Sequence, residues 1–132
     1  MRIGCDLMNM SRLDGITLDD SDPFIRRTFT IDEIAAADRA DDVRRYYAKV
    51  FSIKESVYKT LRIDDTRRVV LEAQLGRSLS FRDIRVELVR DWPTASLADD
   101  LAAALGGVRS CEVSVSYDGD LVMSTAVVDF LG

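Results

Sequence analysis

Three residues in this sequence have types and spacings that could support phosphate chemistry: Asp6, Glu55 and Lys59. Asp6 sits inside a short apolar segment, where burying a carboxylate is costly unless something engages it. Glu55 and Lys59 are four residues apart, which puts them on one face if the segment is helical. A hard divalent cation such as magnesium takes oxygen ligands, often one or two carboxylates plus substrate phosphates. An ammonium one turn beyond a carboxylate could meet a phosphate. The same spacing also describes an ordinary exposed ion pair, worth about 0.3–0.5 kcal/mol. The chain has no histidine, so catalysis by imidazole is excluded.

The flanking pattern tells which elements carry these residues. Residues 2–10 read as a first strand with Ile3, Cys5 and Leu7 on one face and Asp6 on the opposite face or at the strand's end. Asp14-Gly15 marks a turn, and Pro23 opens a short helical segment over 22–28. Thr30 and Glu33 form a capping box that starts a helix ending near Ala40. A longer helix follows over about 43–61, with Val43, Tyr47, Val50, Phe51, Val57, Tyr58 and Leu61 at a 3.6-residue period. Residues 62–78 are ambiguous, since Val69-Val70-Leu71 suits strand or helix. Residues 79–89 alternate as a strand with an irregularity near Arg82-Asp83. Trp92-Pro93 breaks it, and Ser96 caps a helix through Leu105 closed by Gly106-Gly107. Val113, Val115 and Tyr117 mark a strand, Asp118-Gly119 a hairpin turn, and 121–130 the returning strand. The class is α+β: a single domain over 1–132 with a small antiparallel sheet packed against the long central helix, its terminal strands paired antiparallel.

The 132 residues are 47% hydrophobic and carry a net charge of −5 with both signs interleaved. That balance argues against a nucleic-acid binder. No apolar run approaches the ~20 residues that span a bilayer. The two cysteines, Cys5 and Cys111, lie in apolar stretches and read as reduced core residues of a cytoplasmic protein. A core this small makes oligomerisation plausible.

Several segments together resemble one family. Ile3-Gly4-Cys5-Asp6-Leu7, with Arg12-Leu13 after it, resembles the opening of holo-acyl-carrier-protein synthases, members of the 4′-phosphopantetheinyl transferase superfamily. Phe29-Thr30-Ile31-Asp32-Glu33 resembles that family's phenylalanine-threonine-x-x-glutamate helix start. Phe51 to Leu61 is similar to its signature helix, phenylalanine-alanine-alanine-lysine-glutamate-x-x-x-lysine-alanine-leucine. Leu79 to Val86 resembles the strand that follows, and Val113-Ser114-Val115-Ser116 the serine-rich last hairpin. The matches keep their order and cover nearly the whole chain.

The resemblance implies transfer of 4′-phosphopantetheine from coenzyme A to a serine hydroxyl of an apo acyl carrier protein, with adenosine 3′,5′-bisphosphate as the other product. It implies Asp6 and Glu55 as ligands of Mg2+, Glu55 and Lys59 as catalytic residues, and Lys59 as the lysine that meets the phosphates. Lys54, Arg62, Ser116 and Tyr117 take the coenzyme-binding positions, although the Lys54 stem could equally cover apolar surface. The family is commonly a homotrimer with coenzyme A between neighbouring subunits. Its carrier protein is acidic and docks on the first short helices, where Arg12, Arg26 and Arg27 flank Phe24 and Ile25. Those apolar residues could also belong to the core.

The sequence departs from the family at three points. Tyr117 replaces the histidine that ends the last hairpin motif, Val50 replaces an arginine before the signature phenylalanine, and Arg62-Ile63-Asp64-Asp65 replaces a glycine-rich turn. Arg62, Arg67 and Arg68 could then supply phosphate contacts. The alternative expectation is a catalytically inactive paralogue that binds a carrier protein or assists assembly.

Overall fold

The computed structural model describes residues 1–89 and 92–132. Five strands and five α-helices follow in the order β1 (Arg2–Asn9), α1 (Pro23–Thr28), α2 (Ile31–Ala37), α3 (Val43–Leu61), α4 (Asp65–Leu75), β2 (Ile84–Val89), β3 (Trp92–Leu97), α5 (Asp99–Ala104), β4 (Val108–Asp118) and β5 (Leu121–Phe130). Short 3₁₀ turns occupy Met10–Leu13 and Phe81–Asp83. β1, β5 and β4 form an antiparallel sheet in that order, and β2 and β3 form a separate hairpin. The terminal strands pair antiparallel, Asp6 opposite Ser124.

The long helix α3 lies across β1 and β5 and carries the centre of the core. Tyr47, Val50, Phe51, Ile53, Val57 and Leu61 are all buried. Phe29 seals one end, its ring 4.8 Å from that of Tyr47. Asp42 starts the helix by accepting the Arg45 backbone N–H at 3.0 Å. Its other end is Arg62, held at φ 53 and ψ 48. A left-handed residue is common just past a helix, where glycine is usual. Here an arginine takes that conformation.

The face of β1 turned inward is not the apolar one. Gly4, Asp6 and Met8 point at α3, whereas Ile3 and Leu7 remain 73% and 64% exposed. Gly4 is what lets the helix come so near. A Cβ at Gly4 would overlap the Ser56 carbonyl and stand 3.1 Å from Thr60 Cγ2. Along this contact Ser52, Ser56 and Thr60 recur every four residues on α3 and run antiparallel to Asp6, Gly4 and Arg2. Two strand residues advance about 6.6 Å and four helical residues about 6 Å, so the two rows stay in step. Arg2 Nη1 closes the row by donating to the Thr60 carbonyl at 3.1 Å.

The structure resolves one open reading and changes others; Cys5, expected in the core, is exposed because β1 turns its Gly4–Asp6–Met8 face inward. Residues within 62–78 form helix α4, capped by Asp64 and ended by Gly76 at φ 71. Trp92-Pro93 does not end extended structure but opens β3, with Val89 opposite Trp92 and Pro93 opposite Leu88. α5 therefore begins at Asp99, after Ala98, and Ser96 lies in β3 instead of capping a helix.

Candidate functional site

Asp6 stands at the inner face of β1, buried, between α3 and Ser124 of β5. Its two carboxylate oxygens have different partners. Oδ2 accepts from Ser52 Oγ at 2.9 Å, and Oδ1 is 3.4 Å from Lys59 Nζ. Ser52 Oγ also lies 2.8 Å from Ser124 Oγ, and Ser124 Oγ donates to the Ser52 carbonyl at 2.7 Å. Lys59 Nζ has a second anchor, the Cys5 carbonyl at 2.8 Å.

Glu55, half-buried, is three residues on from Ser52 and one turn before Lys59. Its carboxyl is held above the usual carboxylate range, first by burial and then by the negative charge of Asp6. Arg12 and Lys59 pull in the opposite direction. The structure thus brings Asp6, Glu55, Lys59 and Arg12 into one electrostatic neighbourhood.

Two carboxylates close enough to repel one another form a donor set that suits a hard divalent cation. Among the described residues no group of three or more histidine, cysteine, aspartate or glutamate side chains converges as a metal cage. The Asp6–Glu55 pair matches what magnesium commonly takes, one or two carboxylates with other positions left to water and phosphate oxygens. The residues present therefore fit the cation that the sequence suggests, with Asp6 and Glu55 as the groups that would hold it.

Lys54 does not belong to this site. Its ammonium is fully buried on the other side of α3, 2.8 Å from Glu33 Oε1, and donates to the carbonyls of Phe81 at 2.9 Å and Ile84 at 2.6 Å. Three acceptors saturate its three protons. These contacts speak against the expected coenzyme-binding role of Lys54, because its three protons are all engaged and its side chain is buried. Burial lowers its pKa while Glu33 opposes that shift. Glu33 does three jobs: it completes the capping box to Thr30 N–H, pairs with Lys54, and accepts the Val86 N–H at 2.8 Å.

The remaining coenzyme candidates are spread out. Arg62 is exposed, one turn beyond Lys59. Arg67 and Arg68 are engaged with the Leu61 carbonyl and the Tyr58 hydroxyl, at 3.1 Å and 2.7 Å. Ser116 lies on the outer face of β4, opposite Met123 and away from Asp6. Tyr117 takes the inner face, where Arg45 Cζ is 4.1 Å and Lys49 Nζ 4.8 Å from its ring centroid. These three line a cavity of about 580 Å³ with Arg39, Tyr46 and Leu88. Within one chain, Ser116 and Tyr117 are separated from Asp6 by β5, since β4 and β1 are the two edges of the sheet. Val50 is a core residue, fully buried.

Of the carrier-protein candidates, Arg12, Arg26 and Arg27 are exposed. Arg12 Cζ lies 5.6 Å from the Phe51 ring centroid, beside Glu55's half of the site. Arg26 braces the preceding loop through the carbonyls of Asp20 and Ser21, both at 2.8 Å. Phe24 is half-buried, edge-on to Phe51 at 5.5 Å and Phe29 at 6.1 Å, and Ile25 is core. The sequence reading missed Ser52 and Ser124. The signal was available as small residues every fourth position from 52 to 60, opposite Gly4 and Asp6.

Comparison with known proteins places this geometry. The chain is 27% identical over 131 residues to holo-[acyl-carrier-protein] synthase of Sulfurovum sp. (strain NBC37-1), covering 98% of both chains. It is also 30% identical over 111 residues to the fatty acid synthase subunit alpha of Saccharomyces cerevisiae, covering 82% of this chain and 5% of that much longer one. Its fold is that of the Helicobacter pylori holo-[acyl-carrier-protein] synthase crystallised with coenzyme A, at a TM-score of 0.72, 21% identity, and 96% and 99% coverage of the two chains. The Neisseria meningitidis holo-[acyl-carrier-protein] synthase superposes with a TM-score of 0.70 at 22% identity, covering 97% of each chain. The family model described as the 4′-phosphopantetheinyl transferase superfamily matches residues 2–123. With its fold, its motif order and nearly its full length in agreement, the chain belongs to the 4′-phosphopantetheinyl transferase superfamily.

Proposed function

We propose that this protein transfers 4′-phosphopantetheine from coenzyme A to a serine of an apo acyl carrier protein, with magnesium held by Asp6 and Glu55. The observation that carries this reading is the pairing of the buried Asp6 with Glu55 and Lys59 on the adjoining helix face. Held by Asp6 and Glu55, magnesium would supply charge neutralisation to the pyrophosphate and to the leaving phosphate. Lys59 contributes a half-exposed cation beside Asp6, held by Asp6 and the Cys5 carbonyl, to meet the phosphates. The serine oxygen forms a bond to the pantetheine-bearing phosphorus as the bond to adenosine 3′,5′-bisphosphate breaks. The serine proton passes to a carboxylate, Glu55 where its ligand role leaves one oxygen free, or to water.

The coenzyme is best accommodated between subunits of a homotrimer. Support comes from two features. Ile3, Leu7, Leu121 and Met123 leave an apolar sheet face open, and such patches ordinarily find cover. Ser116 and Tyr117 lie on β4, the opposite edge of the sheet from the β1 strand of Asp6, which suits a site completed by a neighbour. Arg12, Arg26 and Arg27 form the basic rim for an acidic carrier protein.

The test is incubation with apo acyl carrier protein, coenzyme A and magnesium, followed by intact mass of the carrier protein. Addition of one phosphopantetheine group, abolished by a chelator and restored by magnesium, is expected. An unchanged carrier mass across several carrier proteins would favour the inactive, carrier-binding alternative.

A further inference from the structure

Resting on the magnesium reading above, we propose that Ser52, backed by Ser124, is a positioning residue that makes Asp6 a one-oxygen ligand and thereby favours magnesium over calcium. The geometry sets the direction of every proton. An ionised carboxylate can only accept, so Ser52 must spend its single hydroxyl proton on Asp6 Oδ2, at 2.9 Å. The Ser52–Ser124 contact at 2.8 Å then has Ser124 as donor, shared with the Ser52 carbonyl at 2.7 Å. All three side chains are buried. Such a chain fixes the carboxylate plane more firmly than one exposed bond would, because each member is held by the next.

The consequence is an asymmetry at Asp6. Oδ2 is committed to the interior, and Oδ1, facing Lys59, is the oxygen available to a cation. Calcium accepts two-oxygen carboxylate binding and six to eight ligands, whereas magnesium demands compact octahedral geometry with few protein ligands. The Ser52 bond takes up part of the acceptor capacity of Oδ2, which weakens the two-oxygen mode and favours the one that magnesium uses. A merely structural role for the hydroxyls, filling the tight β1–α3 contact, would leave this discrimination untouched.

The test is manganese binding to the full chain in the presence of coenzyme A, followed by the ion's electron paramagnetic resonance, with magnesium and calcium as competitors. Ser52→Ala is expected to weaken magnesium about tenfold, the usual scale for losing a partner of a metal ligand. It is also expected to weaken calcium less or not at all, so that the magnesium-to-calcium ratio falls. Ser124→Ala, which leaves the Ser52–Asp6 bond in place but unsupported, should give a smaller change of the same sign, and it carries the test if Ser52→Ala does not fold. An unchanged ratio in the folded variants overturns the inference while leaving the magnesium site standing. A wild-type chain that binds no manganese overturns the magnesium reading and this inference with it.

Discussion

Gly4 of β1 lies against the Ser56 carbonyl of α3 with no room between them for a Cβ atom. This contact sets the distance between the strand that bears Asp6 and the helix that bears Glu55 and Lys59. Gly4→Ala must move backbone against backbone, which neither side can absorb by a rotamer change. The variant is expected to lose about 3 kcal/mol of stability, at the upper end of overpacking effects, in urea unfolding. Its metal affinity should fall as well, because the shift separates Asp6 from Glu55.

Lys54 supports the site from behind without touching it. Removing one partner of a buried ion pair costs about 3–5 kcal/mol. Glu33 keeps its bonds to the Thr30 and Val86 amides, so Lys54→Met is expected near the low end, about 3 kcal/mol. In whatever fraction remains folded at low temperature, the KM for coenzyme A should match the wild type. A raised KM with undiminished stability would return Lys54 to the coenzyme site.

The long helix was legible because its apolar positions keep one period and Asp42 caps it. The capping box of Thr30 and Glu33 was legible for the same local reason and is present in both directions. The ordered motifs pointed to the right family where spacing alone left an ordinary ion pair open. What sequence could not reveal is which face of β1 is buried. Alternation set Ile3, Cys5 and Leu7 apart from Asp6, but tight contact with Ser52 and Ser56 favours glycine and a hydrogen-bonded carboxylate over bulk. Lys54 and Glu33 are 21 residues apart in sequence, and only tertiary packing makes them partners. Residues 62–78 were ambiguous because α4 leaves Val69 and Val70 67% and 58% exposed, so its pattern lacks a clean apolar stripe.

Glu55 carries the pH signature of the site. Its pKa is raised above the ordinary 4.5 by burial and by Asp6. In the metal-free protein the folded state therefore holds a proton that the unfolded chain has already released. Its contribution to stability is fully present below 4.5 and is lost as pH rises through the higher folded value. A cation that uses the carboxylate competes with that proton, so magnesium affinity should fall as pH is lowered through the same value. Carboxyl-carbon NMR titration of Glu55, with and without magnesium, checks both signs. Titration in the ordinary carboxylate range would remove the electrostatic link to Asp6.

Lys59 occupies the Asp6 oxygen that a cation would use. Lys59→Met should therefore tighten manganese binding to the coenzyme-free protein by about two- to fivefold, the scale of a half-exposed ion pair. The same variant should raise the KM for coenzyme A by about tenfold through loss of a charge-assisted phosphate contact. Calorimetric titration and steady-state kinetics read the two effects separately. Weaker manganese binding in the coenzyme-free variant would mean that Lys59 helps to build the cation site instead of guarding it.

The account turns on whether Asp6 and Glu55 act together on phosphopantetheine transfer. The most direct measurement is the rate at which intact carrier protein gains the phosphopantetheine group at saturating coenzyme A and magnesium, for wild type, Asp6→Asn and Glu55→Gln. Transfer by the wild type is expected, with a loss of at least about a hundredfold in each variant, the scale of removing a group that organises transition-state charge. Folded variants that transfer at the wild-type rate would contradict it.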